Sequence, residues 1–99
     1  MSPDARETWW LMTCDLPDFL NWARLRELAD GSAEVFDCAG GTTRFATSEE
    51  ARDALAEDEF ATFDEKFRAT YRHVRWEGVA IPSALDDEAL VPKMFVTIT

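Results

Sequence analysis

Ala33-Glu34-Val35-Phe36-Asp37-Cys38, then Ala39-Gly40-Gly41, then Thr42-Thr43-Arg44-Phe45-Ala46 reads as strand, turn, strand. The flanks carry β-branched and aromatic residues, which favour extended backbone. The glycines tolerate the positive φ that a tight reversal requires. Two strands joined this way run antiparallel, so the fold is built around an antiparallel hairpin.

Upstream, Thr8-Trp9-Trp10-Leu11-Met12-Thr13-Cys14-Asp15 has the same strand composition. Trp9, Leu11 and Thr13 face one side and Trp10, Met12 and Cys14 the other. Both sides are largely apolar, which suits an interior strand. Between the two strand regions, Pro17 can open a helix, and Asp18 is favourable in its first turn. Phe19, Trp22, Leu25 and Leu28-Ala29 recur at three-residue steps, and Asp30-Gly31 ends the run as a C-cap or turn. The expected element over 17–30 is a helix.

Downstream, Thr47 and Glu50 have capping-box spacing and open a helix over about 48–58, with Ala51, Ala54 and Leu55 as its apolar face. Thr62 and Glu65 repeat the spacing. Phe60, Phe63, Phe67 and Tyr71, spaced 3, 4 and 4, predict a helix over 62–72, joined to the first through Glu59. His73 to Ala80 reads as a strand, Ser83 to Leu90 holds one helical turn, and Lys93 to Thr99 alternates as a strand with one buried face.

This order predicts the α+β class: a small antiparallel sheet with helices packed on one face, of which the split β-α-β (ferredoxin-like) arrangement is one form. The 99 residues make one domain, 1–99, with 1–7 as a flexible N-terminal tail. The hydrophobic fraction of 46%, with four Trp and seven Phe, supports a core that needs no disulfide or metal staple. Cys14 and Cys38 lie in apolar runs and read as buried structural thiols, with no second ligand at zinc spacing beside either. The start of the chain is mixed in charge. Its apolar run, Trp9–Met12, is four residues long, far short of the ~20 of a membrane span. The expected location is the cytoplasm, with no membrane partner.

Twenty acidic and ten basic residues give a net charge of −10, which repels phosphates and argues against nucleic acid as the main partner. Arg outnumbers Lys eight to two and Ala occurs fourteen times, as in high-GC genomes; a salt-adapted proteome also produces acid excess. The charge is unevenly spread. Residues 47–65 hold eight acids and one base, and residues 66–76 hold Lys66, Arg68, Arg72 and Arg75 with no acid. The basic strip is interleaved with Phe67, Tyr71 and Trp76, a pattern that binds single strands elsewhere. Here its arginines are expected to pair with the acidic neighbours.

No catalytic constellation emerges. His73 is the sole histidine, and Glu77 four residues on makes two ligands, which is not a metal site. No glycine-flanked nucleophile turn surrounds either Cys. Gly40-Gly41-Thr42-Thr43 lacks the Lys and the following helix of a phosphate loop. We therefore expect no metal and no cofactor, and a binding role ahead of an enzymatic one. The expected interface is an acidic face of Glu49, Glu50, Asp53, Glu57, Asp58 and Glu59 with Asp86, Asp87 and Glu88, presented to a basic protein in the manner of a small inhibitor. The alternative is a small-ligand pocket or minor enzyme site of Trp9 or Trp10, Phe63, Phe67 and Tyr71 with His73 or Arg75 as its polar group. Trp9 and Trp10 must face opposite ways, so one needs a cover beyond the main core. A helix, the N-terminal tail or a second subunit would supply it, and the last of these points to a homodimer.

Overall fold

The structure, a computed structural model, describes residues 6–14, 16 and 18–97. Six strands form an antiparallel sheet: β1 (Arg6–Met12), β2 (Phe19–Glu27), β3 (Ala33–Asp37), β4 (Thr42–Phe45), β5 (Phe60–Thr62) and β6 (Phe95–Thr97). The order across it is β4-β3-β2-β1-β5, with β6 paired to the start of β2. Three helices complete the fold: α1 (Ser48–Glu57), α2 (Glu65–Thr70) and α3 (Asp87–Leu90).

The antiparallel α+β class stands. The 33–46 hairpin forms as its residues dictate: Gly40 has φ +85°, and the Asp37 carboxylate accepts from the Ala39 N–H at 3.0 Å. A Cβ at Gly40 would meet only Val91 Cγ2, at an ordinary 3.5 Å, so space is not the constraint there. Gly40→Ala is expected to cost about 1–2 kcal/mol through backbone strain alone, measured by urea denaturation. An unchanged midpoint would mean the turn adopts another conformation.

The helix expected over 17–30 is instead the nine-residue strand β2. Leu20, Trp22 and Arg24 point to one side and Asn21, Ala23 and Leu25 to the other, and all six are buried. A strand buried on both faces loses the polar–apolar alternation that marks most strands. Its apolar residues then fall at three-residue steps by coincidence. Three neighbours pair with it: β1 over Trp22–Glu27, β3 over Ala23–Glu27 and β6 over Phe19–Asn21. Asp30-Gly31 still makes a turn, with Gly31 at φ +90°, but it links β2 to β3. With no helix between the first two strands, the β-α-β-β-α-β order does not arise. Pro17 lies outside the described residues.

The single helical layer is in fact divided between the two faces of the sheet. On one face α1 buries Ala51 and Leu55 against Trp10, Ala23, Leu25, Ala33 and Val35, with Phe45 and Phe60 beside them. On the other, Phe67 of α2, Leu90 of α3 and Met94 close over Leu11, Leu20, Trp22 and Phe36. Trp9 packs into this second layer while Trp10 belongs to the first, so both rings are covered within one chain. The need for a second subunit to cover one of them falls away.

Smaller elements differ too. Arg6 and Glu7 pair with Glu27 and Arg26 in the sheet, so the expected tail reaches no further than residue 5, and residues 1–5 are outside the described set. The Thr47 hydroxyl caps α1 by accepting from the Glu50 N–H at 3.1 Å. Asp64, not Thr62, caps α2, accepting from the Phe67 N–H at 2.8 Å. Thr62 ends β5, and Glu59 at φ +66° turns the chain between α1 and β5, so the two helices are not fused. The 73–80 stretch is a turn and a 3₁₀ segment at Trp76–Gly78, not a strand. The helical turn expected within 83–90 is α3, capped by Asp86. All three residues of β6 are exposed, so its expected buried face is absent; the fully buried neighbour is Met94. Ile98 and Thr99 are outside the described residues.

Candidate functional site

Helix periodicity decides what α1 shows to solvent. Ala51 and Leu55 turn inward, which leaves Glu49, Glu50, Asp53 and Glu57 outward and exposed, followed by exposed Asp58 and Glu59. The ion pairs among the described residues include none of these six carboxylates. The only base on the helix, Arg52, is drawn to Glu27 of β2 at 2.8 Å. Among the described residues, the acidic row is therefore not neutralised.

The end of this helix is also locally disfavoured. The C-terminus of a helix carries partial negative charge, so acids there are repelled. Here Glu57, Asp58 and Glu59 stand at it, with no base in the last turn. Glu59 sits in the left-handed position just past the cap, where glycine is the usual occupant. Thr13 pins the turn, its N–H and hydroxyl donating to the Glu59 carbonyl at 2.8 and 2.9 Å.

The second acidic group does not join this face. Asp86, Asp87 and Glu88 belong to the α3 region, across the sheet from α1. Two of the three serve the fold. Asp86 caps α3, accepting from the Ala89 N–H at 2.8 Å. Asp87 accepts two hydrogen bonds from the Arg24 guanidinium, at 3.0 and 3.4 Å. These hydrogen bonds hold the Asp87 carboxyl below its ordinary pKa.

The basic strip departs from its expected role. Lys66, Arg68, Arg72 and Arg75 take part in none of the ion pairs among the described residues. Arg68 lies over the Phe63 ring, 5.2 Å from its centre. Since α2 packs across the sheet from α1, the acidic and basic segments, adjacent in sequence, lie on opposite sides of the molecule. Sheet topology separates them and prevents internal pairing.

The residues of the alternative pocket are only partly brought together: Trp9 shares a layer with Phe63, Phe67 and Tyr71, and Trp10 does not. Trp10 is in the α1 layer. Phe63, Phe67 and Tyr71 are in the other, packed with Trp22 and Trp76 at ring-centre distances of 4.9 to 5.9 Å. Those contacts fill the space between α2 and the sheet. His73 and Arg75 are exposed at its margin, with the His73 ring 6.2 Å from Tyr71. Among the described residues, no three His, Cys, Asp or Glu side chains converge as a metal site would need. Cys14 is exposed, not buried, in the turn after β1. Cys38 is a free, half-buried thiol whose pKa is raised by burial and by Asp37, which disfavours the reactive thiolate.

The structure also holds a cavity of about 570 Å³. Its floor is Leu20 and Trp22, one wall is the irregular stretch 78–83, and the other runs from Pro92 to Thr97. The one signal in the sequence was Lys93, one of only two lysines, placed just before an apolar alternating run.

No protein-family model matches this chain, and neither the curated proteins nor the solved structures provide a match. No helix among the described residues is long and apolar enough to cross a membrane.

Proposed function

We propose that this protein is a protein-binding module that presents the outer face of α1 and the turn after it to a basic patch on a partner, in the manner of a small inhibitor. The observation that carries this reading is the concentration of six unneutralised carboxylates at Glu49, Glu50, Asp53, Glu57, Asp58 and Glu59, continued past a helix end that disfavours them. A sequence shaped for stability alone would put a base in the last turn and glycine at 59. Retaining acid there lowers stability, which fits selection for the charge itself. Such a face gives fast association that weakens with salt. The second acidic group, being bound to Arg24 and to the α3 cap, contributes little to it.

The test separates fold from function. The triple variant Glu57→Gln, Asp58→Asn, Glu59→Gln is expected to be more stable than the natural chain, by up to ~1 kcal/mol, because repulsion at the helix end is relieved. The same variant is expected to lose the basic protein that the natural chain captures from source lysate at low salt and releases at high salt. Capture at low salt by the variant equal to that by the natural chain would defeat the proposal.

A further inference from the structure

We infer that the cavity between the 78–83 stretch and the Pro92–Thr97 wall is a binding site for an apolar monocarboxylate, with the carboxylate held by Lys93. The volume of about 570 Å³ lies within the range of small-molecule sites. Its apolar lining comes from Leu20, Trp22, Val79, Ile81 and Val96, drawn from three separate parts of the chain. Two of these stay in water at considerable cost: Ile81 is 48% exposed and Val96 is 37% exposed. Exposed aliphatic groups gathered around a concave opening mark a surface that an apolar body covers.

Lys93 sets the chemistry of the other end. Its ammonium donates to the Ser83 carbonyl at 2.9 Å, which ties the two walls together. It forms none of the ion pairs among the described residues, in a chain with twenty acidic side chains. An ammonium has three donors, so two remain for a ligand. A carboxylate accepts both as charge-assisted bonds, a neutral hydroxyl gains less, and a cation is repelled. The overall charge of −10 slows an approaching anion but is screened beyond about 8 Å at physiological salt. The short-range contact with Lys93 therefore decides the sign of the ligand. This site lies apart from α1, so it stands or falls independently of the partner reading above.

The experiment follows tryptophan emission of the full chain, since Trp22 lines the cavity floor. The probes are decanoate, 1-decanol and decyltrimethylammonium, each below its aggregation concentration. Saturable binding of decanoate is expected, with decanol about tenfold weaker and the cation weaker still. Lys93→Met is expected to bring decanoate down to the decanol level and leave decanol unchanged, and Val96→Asp to weaken both. Lys66→Met, outside the cavity lining, is expected to alter neither. The inference is overturned by the absence of a saturable decanoate response, by equal binding of decanoate and decanol, or by a Lys66→Met effect as large as that of Lys93→Met.

Discussion

Trp22→Ala is expected to cost about 3–5 kcal/mol, the range for removing a large aromatic from a core. Trp22 is 1% exposed, at the middle of β2. Its ring meets Trp9 edge-on at 6.0 Å and Phe63 at 5.0 Å, and it joins the layer that holds α2, α3 and Met94 over the sheet. Its backbone N–H also donates to the Met94 carbonyl at 2.7 Å. The truncation would leave a void where these elements meet, and none can collapse inward without losing contacts elsewhere. A domain of this size typically has only about 5–15 kcal/mol in hand, so the melting temperature should fall by on the order of 15–30 °C. Thermal denaturation followed by circular dichroism is the measurement. Trp22→Phe should fall between the natural chain and the alanine variant. A shift of only a few degrees for alanine would mean the second layer is not built around this ring.

The Arg24–Asp87 pair should show the second large effect, and an unequal one. The Arg24 side chain is 10% exposed and that of Asp87 is 55% exposed. Removing Asp87 strands a guanidinium away from water, and its Nε already has no hydrogen-bond partner. Removing Arg24 leaves only a carboxylate that water can solvate. Asp87→Ala is therefore expected to cost about 2–3 kcal/mol, below the fully buried range because one partner is half in solvent. Arg24→Met should cost about 1 kcal/mol, since it loses the guanidinium that lies over the Phe36 ring, 5.0 Å from its centre, but keeps an apolar stem and needs no counter-charge. The double variant should resemble Arg24→Met. An equal cost for the two single variants would refute this asymmetry. The pH dependence has a definite sign. The Asp87 pKa is lowered on folding, from an ordinary value of 3.8, chiefly by the hydrogen bonds from Arg24. The carboxylate's share of stability is present above that value and lost as pH falls through the lower, folded value. Asp87→Asn should accordingly flatten the acid limb of the stability profile below about pH 4.

The parts of the fold readable from sequence were those set by neighbouring residues. The 33–46 hairpin, the Thr47 cap and the turn at Asp30-Gly31 each depend on a few adjacent groups, and each formed. The outward acids of α1 were legible for the same reason, because helix period alone assigns their side. Asp87 is the exposed carboxylate its sequence context suggests, but its pairing with Arg24 is not legible there because the two are 63 residues apart in the chain. The cavity was invisible because its floor, at Leu20 and Trp22, lies within a segment that reads as a helix.

Sequence by itself determined an antiparallel hairpin, an acidic amphipathic helix and an aromatic core, since each follows from composition and short-range spacing. Only the tertiary structure decided that residues 19–27 extend. A strand paired along both edges and packed on both faces gains more from its neighbours than its own pattern reveals. That choice divided the helices between the two faces of the sheet. It set the acidic and basic segments on opposite sides, buried Arg24 beneath Asp87 and opened the cavity beside Lys93. Each of these is a contact between residues far apart in the chain, and local spacing carries no record of such contacts.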